Sequence, residues 1–351
     1  MPNTLGTATS PLNMFTAWMG FSVCKINNVV HLGQHFNNSE TRNESMFGLI
    51  QLACQQHTVP DFEWVLFHSG DNDAGSFKGT SNKLGYRRDL DAREYQHFCP
   101  STKDYFSETV PDFVYDGWTG TGVPDFESTR LELLNLATPP ETDLLGWRGM
   151  DHHVNRVRLL QIAQSFDSSD QKMDCKSIGH HGGPPPLTLD GSMSLLQQAK
   201  RFRYLIDIEG YQGGYSGGLK LRLHAPRVVF IQERAYKEDF FQWLVPYKHY
   251  IPVKNKLEDL VDQLEWIKQR PELEATIIKE KADFCLAHLT RDAAVKRLAD
   301  RLCLINLLPT MLESESVDPS TPAPTPPTVP VPPTIDPNAT DLQNPKMHEV
   351  W

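Results

Sequence analysis

The stretch from Arg203 to Trp266 constrains the fold more than any other part of the chain. Arg203 to Glu209 is an apolar-rich run that ends at Gly210. Tyr-Gln-Gly-Gly-Tyr-Ser-Gly-Gly follows, then Leu219-Lys220. Two more apolar runs come next, Val228 to Gln232 and His249 to Val253. Strand, glycine loop, helix, strand, helix, strand is the layout of a nucleotide-binding α/β domain. In such a domain a diphosphate can sit where the glycine loop opens the helix. Gly210, Gly213, Gly214, Gly217 and Gly218 permit positive φ and close backbone approach. Ser216 can cap the following helix. The same glycines also suit a plain tight turn, and the loop departs from the G-x-G-x-x-G dinucleotide fingerprint, which weakens a nicotinamide reading.

Other strand-to-loop junctions precede this one. Phe62 to Phe67 reads as a strand running into Ser69-Gly70-Asp71-Asn72-Asp73. Pro111 to Tyr115 reads as a second short strand and Leu144 to Gly149 as a third, with a helix from about Asn155 to Gln164. Phe47 to Cys54 reads as a helix, and Leu131 to Leu136 is a helical candidate. Strands alternating with helices predict an α/β fold with parallel sheets and crossover helices. From Leu257 onward Leu260, Val261, Leu264 and Ile267 recur at helical spacing, and Pro271 suits the first turn of another helix. The expected organisation is an N-terminal domain over 1–170, a C-terminal domain over 171–312 and a Pro/Thr-rich tail over 313–351. The tail lacks a packable apolar face and predicts an extended segment.

Bulk properties exclude some functions. The net charge of -10 over 351 residues disfavours general nucleic-acid binding, which needs clustered cations. No apolar run approaches the ~20 residues of a membrane span. The N-terminus lacks a basic segment followed by an apolar run, so a soluble, cytoplasmic location is expected. Cys24, Cys54, Cys99, Cys175, Cys285 and Cys303 show no CxxC pair, which argues against structural zinc. His152-His153 and His180-His181 are adjacent pairs, and adjacent side chains on a strand face opposite ways, a poor arrangement for one metal.

Several residues invite chemistry. Arg148, at a strand end, can clamp a phosphate or stack on Trp147 as a surface residue. Asp71 and Asp73 form an Asp-X-Asp motif that can hold Mn²⁺. The same segment can supply a general base or merely an Asx turn. His249 can touch a ligand or pack.

Together these segments resemble glycosyltransferase family 90, which contains fungal capsule-associated xylosyltransferases and Rumi-type protein O-glucosyltransferases. The resemblance covers roughly 59–290. Its strongest part is Tyr204 to Trp266. Trp147-Arg148-Gly149 with Asn155-Arg156, and Pro60-Asp61-Phe62-Glu63 leading into Gly70-Asp71, are its other hallmarks. The resemblance implies an inverting, metal-independent transferase of the GT-B arrangement, with two Rossmann-like domains and a UDP-sugar between them. UDP-xylose is the favoured donor and UDP-glucose the next. The acceptor would be a glycan or glycoprotein. No cofactor is expected. Asp71 becomes the general base, beside Asp73 and with Trp118 near donor and acceptor. Donor binding falls on Arg148, Gly149, Gly210, Tyr211, Gly213, Gly214, Tyr215, Ser216, Gly217, Lys220 and His249. Family members commonly carry Arg directly before the Leu-Lys pair. Here that position is Gly218, so phosphate binding would weaken unless Lys220, Arg222 or another cation substitutes. The missing leader suggests a cytosolic, bacterial or virus-encoded member. A metal-dependent transferase using Asp71-Asn72-Asp73 and a non-catalytic nucleotide-sugar-binding protein are the alternatives.

Overall fold

A computed structural model describes residues 20–36, 40–68, 87–90, 93–95, 97–98, 101–102, 109–119, 122–151, 153–166, 170–179, 192–210, 216–234 and 237–304. The chain is α/β, with two principal sheets that fall within one compact unit.

The first sheet is mixed. β1 (Gly20–Ile26) pairs antiparallel with both β2 (Val29–Phe36) and β3 (Phe62–His68). The turn between β1 and β2 places Asn27 and Asn28 at φ 52 and 62. Asparagine tolerates that region, and successive positive φ values match the twist of a tight hairpin. The Asp61 carboxylate, just before β3, accepts from the backbone N–H of Asn27 at 2.6 Å and of Asn28 at 3.1 Å. α1 (Glu40–Gln56) buries Met46, Leu49, Ile50 and Ala53. β4 (Arg87–Leu90) and β5 (Arg93–Tyr95) form a small hairpin, and β6 (His97–Phe98) joins β3 in parallel. β7 (Ser101–Thr102) pairs with the later β12 (Lys237–Glu238).

The second sheet is parallel, in the order β13-β11-β10-β8-β9. Its strands are β8 (Thr142–Gly149), β9 (Met173–Ser177), β10 (Phe202–Asp207), β11 (Val228–Gln232) and β13 (Ile251–Val253). Three crossovers carry helices: α3 (Val154–Gln164), α4 (Leu195–Arg201) and α5 (Leu219–His224). All five carboxyl ends therefore share one edge, where ligands of open α/β sheets bind. Strand alternation divides the core. Leu145, Trp147, Tyr204, Ile206, Phe230 and Val253 face one cluster with α3. Leu205, Val229 and Ile231 face another, which also holds Leu219 and Leu221 and continues to Phe21 and Val23 of the first sheet. Gly146 permits the close packing of β8 and β10, since a Cβ there would lie 1.9 Å from the Phe202 ring. β8 pairs with both β9 and β10, so residue 170, the expected domain boundary, falls inside this sheet between α3 and β9.

α2 (Phe126–Leu134), α6 (Leu260–Lys268), α7 (Pro271–His288) and α8 (Arg291–Leu304) complete the helices. Pro271 sits in the first turn of α7, as its fixed φ favours. Among the described residues no helix is long and apolar enough to cross a membrane. The strand expected over 111–115 is instead a 3-10 helix, Phe113–Tyr115, started by the Asp112 carboxylate accepting from Val114 N–H at 3.0 Å. The helix expected between the runs ending at Gln232 and beginning at His249 is likewise β12 followed by a 3-10 helix, Asp239–Trp243. The tail over 313–351 lies outside the described residues.

Candidate functional site at the carboxyl edge of the parallel sheet

Asp207, the last residue of β10, organises the edge. It is fully buried. Its Oδ1 accepts from Ser216 Oγ at 2.8 Å and from Arg222 Nη1 at 2.6 Å. Its Oδ2 accepts from Arg234 Nη2 at 2.8 Å, and the same guanidinium reaches the Asp207 carbonyl at 3.1 Å. One carboxylate thus ties the start of α5, its side-chain row and the segment after β11 together. Asp207 thereby gathers two guanidiniums, Arg222 and Arg234, beside Ser216.

Two residues on, Glu209 holds a second network. Its Oε1 accepts from Asn155 Nδ2 at 2.6 Å and from Gln232 Nε2 at 2.8 Å. Gln232 Oε1 accepts from the Glu209 N–H at 2.9 Å, and Gln232 Nε2 also reaches the Asn255 carbonyl at 2.7 Å. Arg156 donates to the carbonyls of Glu209 at 2.9 Å and Met150 at 2.9 Å. α3, β10 and β11 are locked at one height. His153 caps α3, its Nδ1 accepting from Asn155 N–H at 3.3 Å, so its proton rests on Nε2. Burial lowers its pKa, against the pull of Glu209 and with help from Arg156.

The expected donor-binding residues divide. Gly210 and Ser216 to Gly218 lie at this edge. Gly149 ends β8 there, and its carbonyl accepts from Ile178 N–H at 3.1 Å. Arg148 is turned inward. Strand alternation points it away from Trp147, and its side chain is 0% exposed. Its guanidinium meets the Asp174 carboxylate at 2.9 Å and the Asp174 and Trp147 carbonyls at 2.7 and 2.9 Å, in place of the expected phosphate. His249 lies just before β13, at the amino edge of a parallel sheet and so opposite Gly210. Its ring stacks on Phe284 at 4.7 Å, and Nδ1 accepts from Val245 N–H at 3.0 Å. Trp118 is half-buried, edge-on to Phe113 at 5.2 Å with Arg42 4.8 Å above its ring. Asp71, Asp73, Tyr211, Gly213, Gly214 and Tyr215 lie outside the described residues.

Lys220, expected at a phosphate, is fully buried under α5. Its Nζ lies 2.8 Å from Asp112 Oδ2 and 2.8 Å from Glu238 Oε2. Burial opposes its charge, but Asp112 and Glu238 hold its pKa above the usual lysine range. Burial pushes the Glu238 carboxyl up to about 8, against the attraction of Lys220. A raised folded-state pKa gives stability that is fully present below the ordinary value of 4.5 and is lost as pH rises through about 8. Wild-type melting temperature should therefore fall between pH 6 and pH 9 more steeply than that of Glu238→Gln. Parallel curves for the two proteins would refute this.

The model of "Glycosyl transferase family 90" matches residues 4–298. The chain belongs to that family. The chain is 28% identical over 148 residues to Protein O-glucosyltransferase 2 of Danio rerio, covering 42% of this chain and 29% of that protein. It is 25% identical over 142 residues to Protein O-glucosyltransferase 3 of Homo sapiens, covering 40% and 27%. It is 24% identical over 214 residues to uncharacterized protein 035R of Invertebrate iridescent virus 3, covering 59% and 18%. These matches span less than a third of each relative's length. Among solved structures, the C-terminal domain of a glycosyl transferase group 1 family protein from Francisella tularensis is similar at TM-score 0.32 and 11% identity, covering 46% of this chain and 93% of that one. TarM is similar at TM-score 0.37 and 12% identity, covering 47% and 36%.

The family 90 departure at Gly218 has a local explanation. A Cβ at residue 218 would lie 2.6 Å from Arg222 Nη1. The Arg222 guanidinium occupies the space beside the residue that is commonly Arg in the family. Of the substitutes the sequence left open, Lys220 points into its buried triad and Arg222 reaches this position. Asp207, Glu209, Gln232 and Arg234 escaped the sequence reading. Their signal was present, since each lies at or within two residues of the end of a predicted strand, on the edge where open α/β sheets bind ligands.

Proposed function

We propose that this family 90 chain is an inverting glycosyltransferase of the GT-B arrangement. It moves a sugar from a UDP-sugar to a hydroxyl of a glycan or protein, without a metal. The observation that carries the reading is the pair Arg222 and Arg234 on Asp207, directly beside Ser216 at the carboxyl edge. Two guanidiniums held at this edge suit the charge that develops on a departing diphosphate, and preorganised charge of this kind is a large contributor to catalysis. Residues 210–218 then hold the diphosphate, with Tyr211, Gly213, Gly214 and Tyr215 contributing. Arg148 acts as a positioning residue that ties β8 to β9 through Asp174. Asp71 is the general base. The acceptor oxygen bonds to the anomeric carbon as its proton passes to the Asp71 carboxylate, and the carbon–oxygen bond to UDP breaks with inversion. Asp73 and Trp118 line the sugar or acceptor side. The names of the O-glucosyltransferase relatives favour glucose as the sugar. UDP-xylose is the second donor, because one hydroxymethyl group in a pocket discriminates by only about 1–3 kcal/mol.

UDP release from UDP-glucose and UDP-xylose, with a hydroxyl acceptor and excess EDTA, tests the reading. Release in EDTA is expected. Release only after Mn²⁺ is restored would favour a metal-dependent transferase. No release with either donor, while UDP still binds, would leave a non-catalytic nucleotide-sugar-binding protein.

A further inference from the structure

Glu209 is nearly fully buried, yet only one of its oxygens is used. Oε1 takes the amides of Asn155 and Gln232. His153 Nδ1 stands 3.7 Å from the same oxygen but already accepts from Asn155 N–H. No donor among the described residues meets Oε2. The carboxylate cannot turn away, because Gln232 spends its whole amide on Glu209 N–H, Glu209 Oε1 and the Asn255 carbonyl. Asn155 is held in turn by Arg158 Nη1 on its Oδ1 at 2.8 Å, and the backbone is held by Arg156. The molecule therefore presents one oriented anionic acceptor directly before Gly210.

A carboxylate accepts hydrogen bonds and repels phosphate oxygens, which also only accept. Glu209 thus suits the neutral, hydroxyl-bearing part of a nucleotide. It lies two residues from Asp207, about 7 Å along extended chain, where Arg222 and Arg234 would serve the diphosphate. A vicinal diol offers two donors to one carboxylate, and charge-assisted bonds of this type are the stronger ones.

We infer that Glu209 recognises the ribose 2′,3′-diol of the bound nucleotide, with Asn155 and Gln232 as its positioning residues. This rests on the UDP-sugar reading above. It assigns the Glu209–Asn155–Gln232 cluster to selection of ribonucleotides over deoxyribonucleotides.

Calorimetric titration of the full chain with UDP, 2′-deoxy-UDP and 3′-deoxy-UDP tests it. Wild type should bind each deoxy analogue at least about tenfold more weakly than UDP, the loss expected for one hydrogen bond to a charged group. Glu209→Gln should narrow that ratio several-fold. Gln232→Ala should also narrow it, by releasing the carboxylate from its fixed orientation. A purely structural Glu209 would leave the ratio unmoved in every variant that folds. Equal wild-type affinity for UDP and both analogues would overturn the inference while the donor reading stands, and that comparison needs no variant. Failure of UDP itself to bind would remove the donor reading and the inference together.

Discussion

Lys220→Met is expected to cost about 3–5 kcal/mol of folding stability, the range for breaking a buried ion pair by removing one partner. Methionine keeps most of the volume and the apolar stem, so packing loss is small. What remains is electrostatic. Asp112 Oδ2 and Glu238 Oε2 each stand 2.8 Å from the Lys220 ammonium. Without it, two carboxyl groups face each other in a site that water does not reach. A native stability of about 5–15 kcal/mol makes this a large fraction of the total. Asp112 precedes the 3-10 helix of the 109–119 segment, Lys220 lies on α5 and Glu238 on β12. The loss should therefore be a cooperative shift of the whole urea transition. Adding Asp112→Asn and Glu238→Gln to Lys220→Met should recover part of it, because neutral amides replace the carboxyl groups left without their cation. A Lys220→Met midpoint within error of wild type would contradict the triad's role.

Asp71→Asn is expected to lower transfer about 10²–10⁴-fold, the usual contribution of a positioned general base. UDP affinity should stay near wild type, since the proposed diphosphate site rests on Asp207, Arg222, Arg234 and Ser216. The split between turnover and binding identifies the role. Near-normal turnover would remove Asp71 as the base, and a parallel loss of UDP binding would point to a structural residue instead.

Four strands of the second sheet were legible because they carry apolar runs, as strands buried on both faces do, whereas β9, Met-Asp-Cys-Lys-Ser, has no such run and was not anticipated. Val228 to Gln232 is buried at every position, and its pattern admits little else. Phe113 to Tyr115 was misread as a strand because a run of three apolar residues has no resolvable period. The Asp112 cap decided it. The β1–β2 hairpin was missed although Asn27-Asn28 between apolar runs is a turn signal.

The candidate site was legible as a region and not residue by residue. Trp147-Arg148-Gly149 lies at a strand end as expected. Which way Arg148 points depends on Asp174, 26 residues away on β9. His249 was drawn to the site by its neighbouring strand. The parallel direction of β13 puts it at the other edge, a property of strand order that no local pattern carries. Gly218 was visible as a departure from family 90. The nearness of Arg222 emerges only when one turn of α5 brings that guanidinium back beside it.

The central claim is that the carboxyl edge around Asp207 and Ser216 grips a diphosphate. A crystal of the chain soaked in UDP, with EDTA present, tests it most directly. Density for the diphosphate against residues 210–218, beside Ser216 and within reach of Arg222 or Arg234, is the predicted result. A nucleotide bound at the amino edge near His249, or one held only when a divalent cation is supplied, would contradict it.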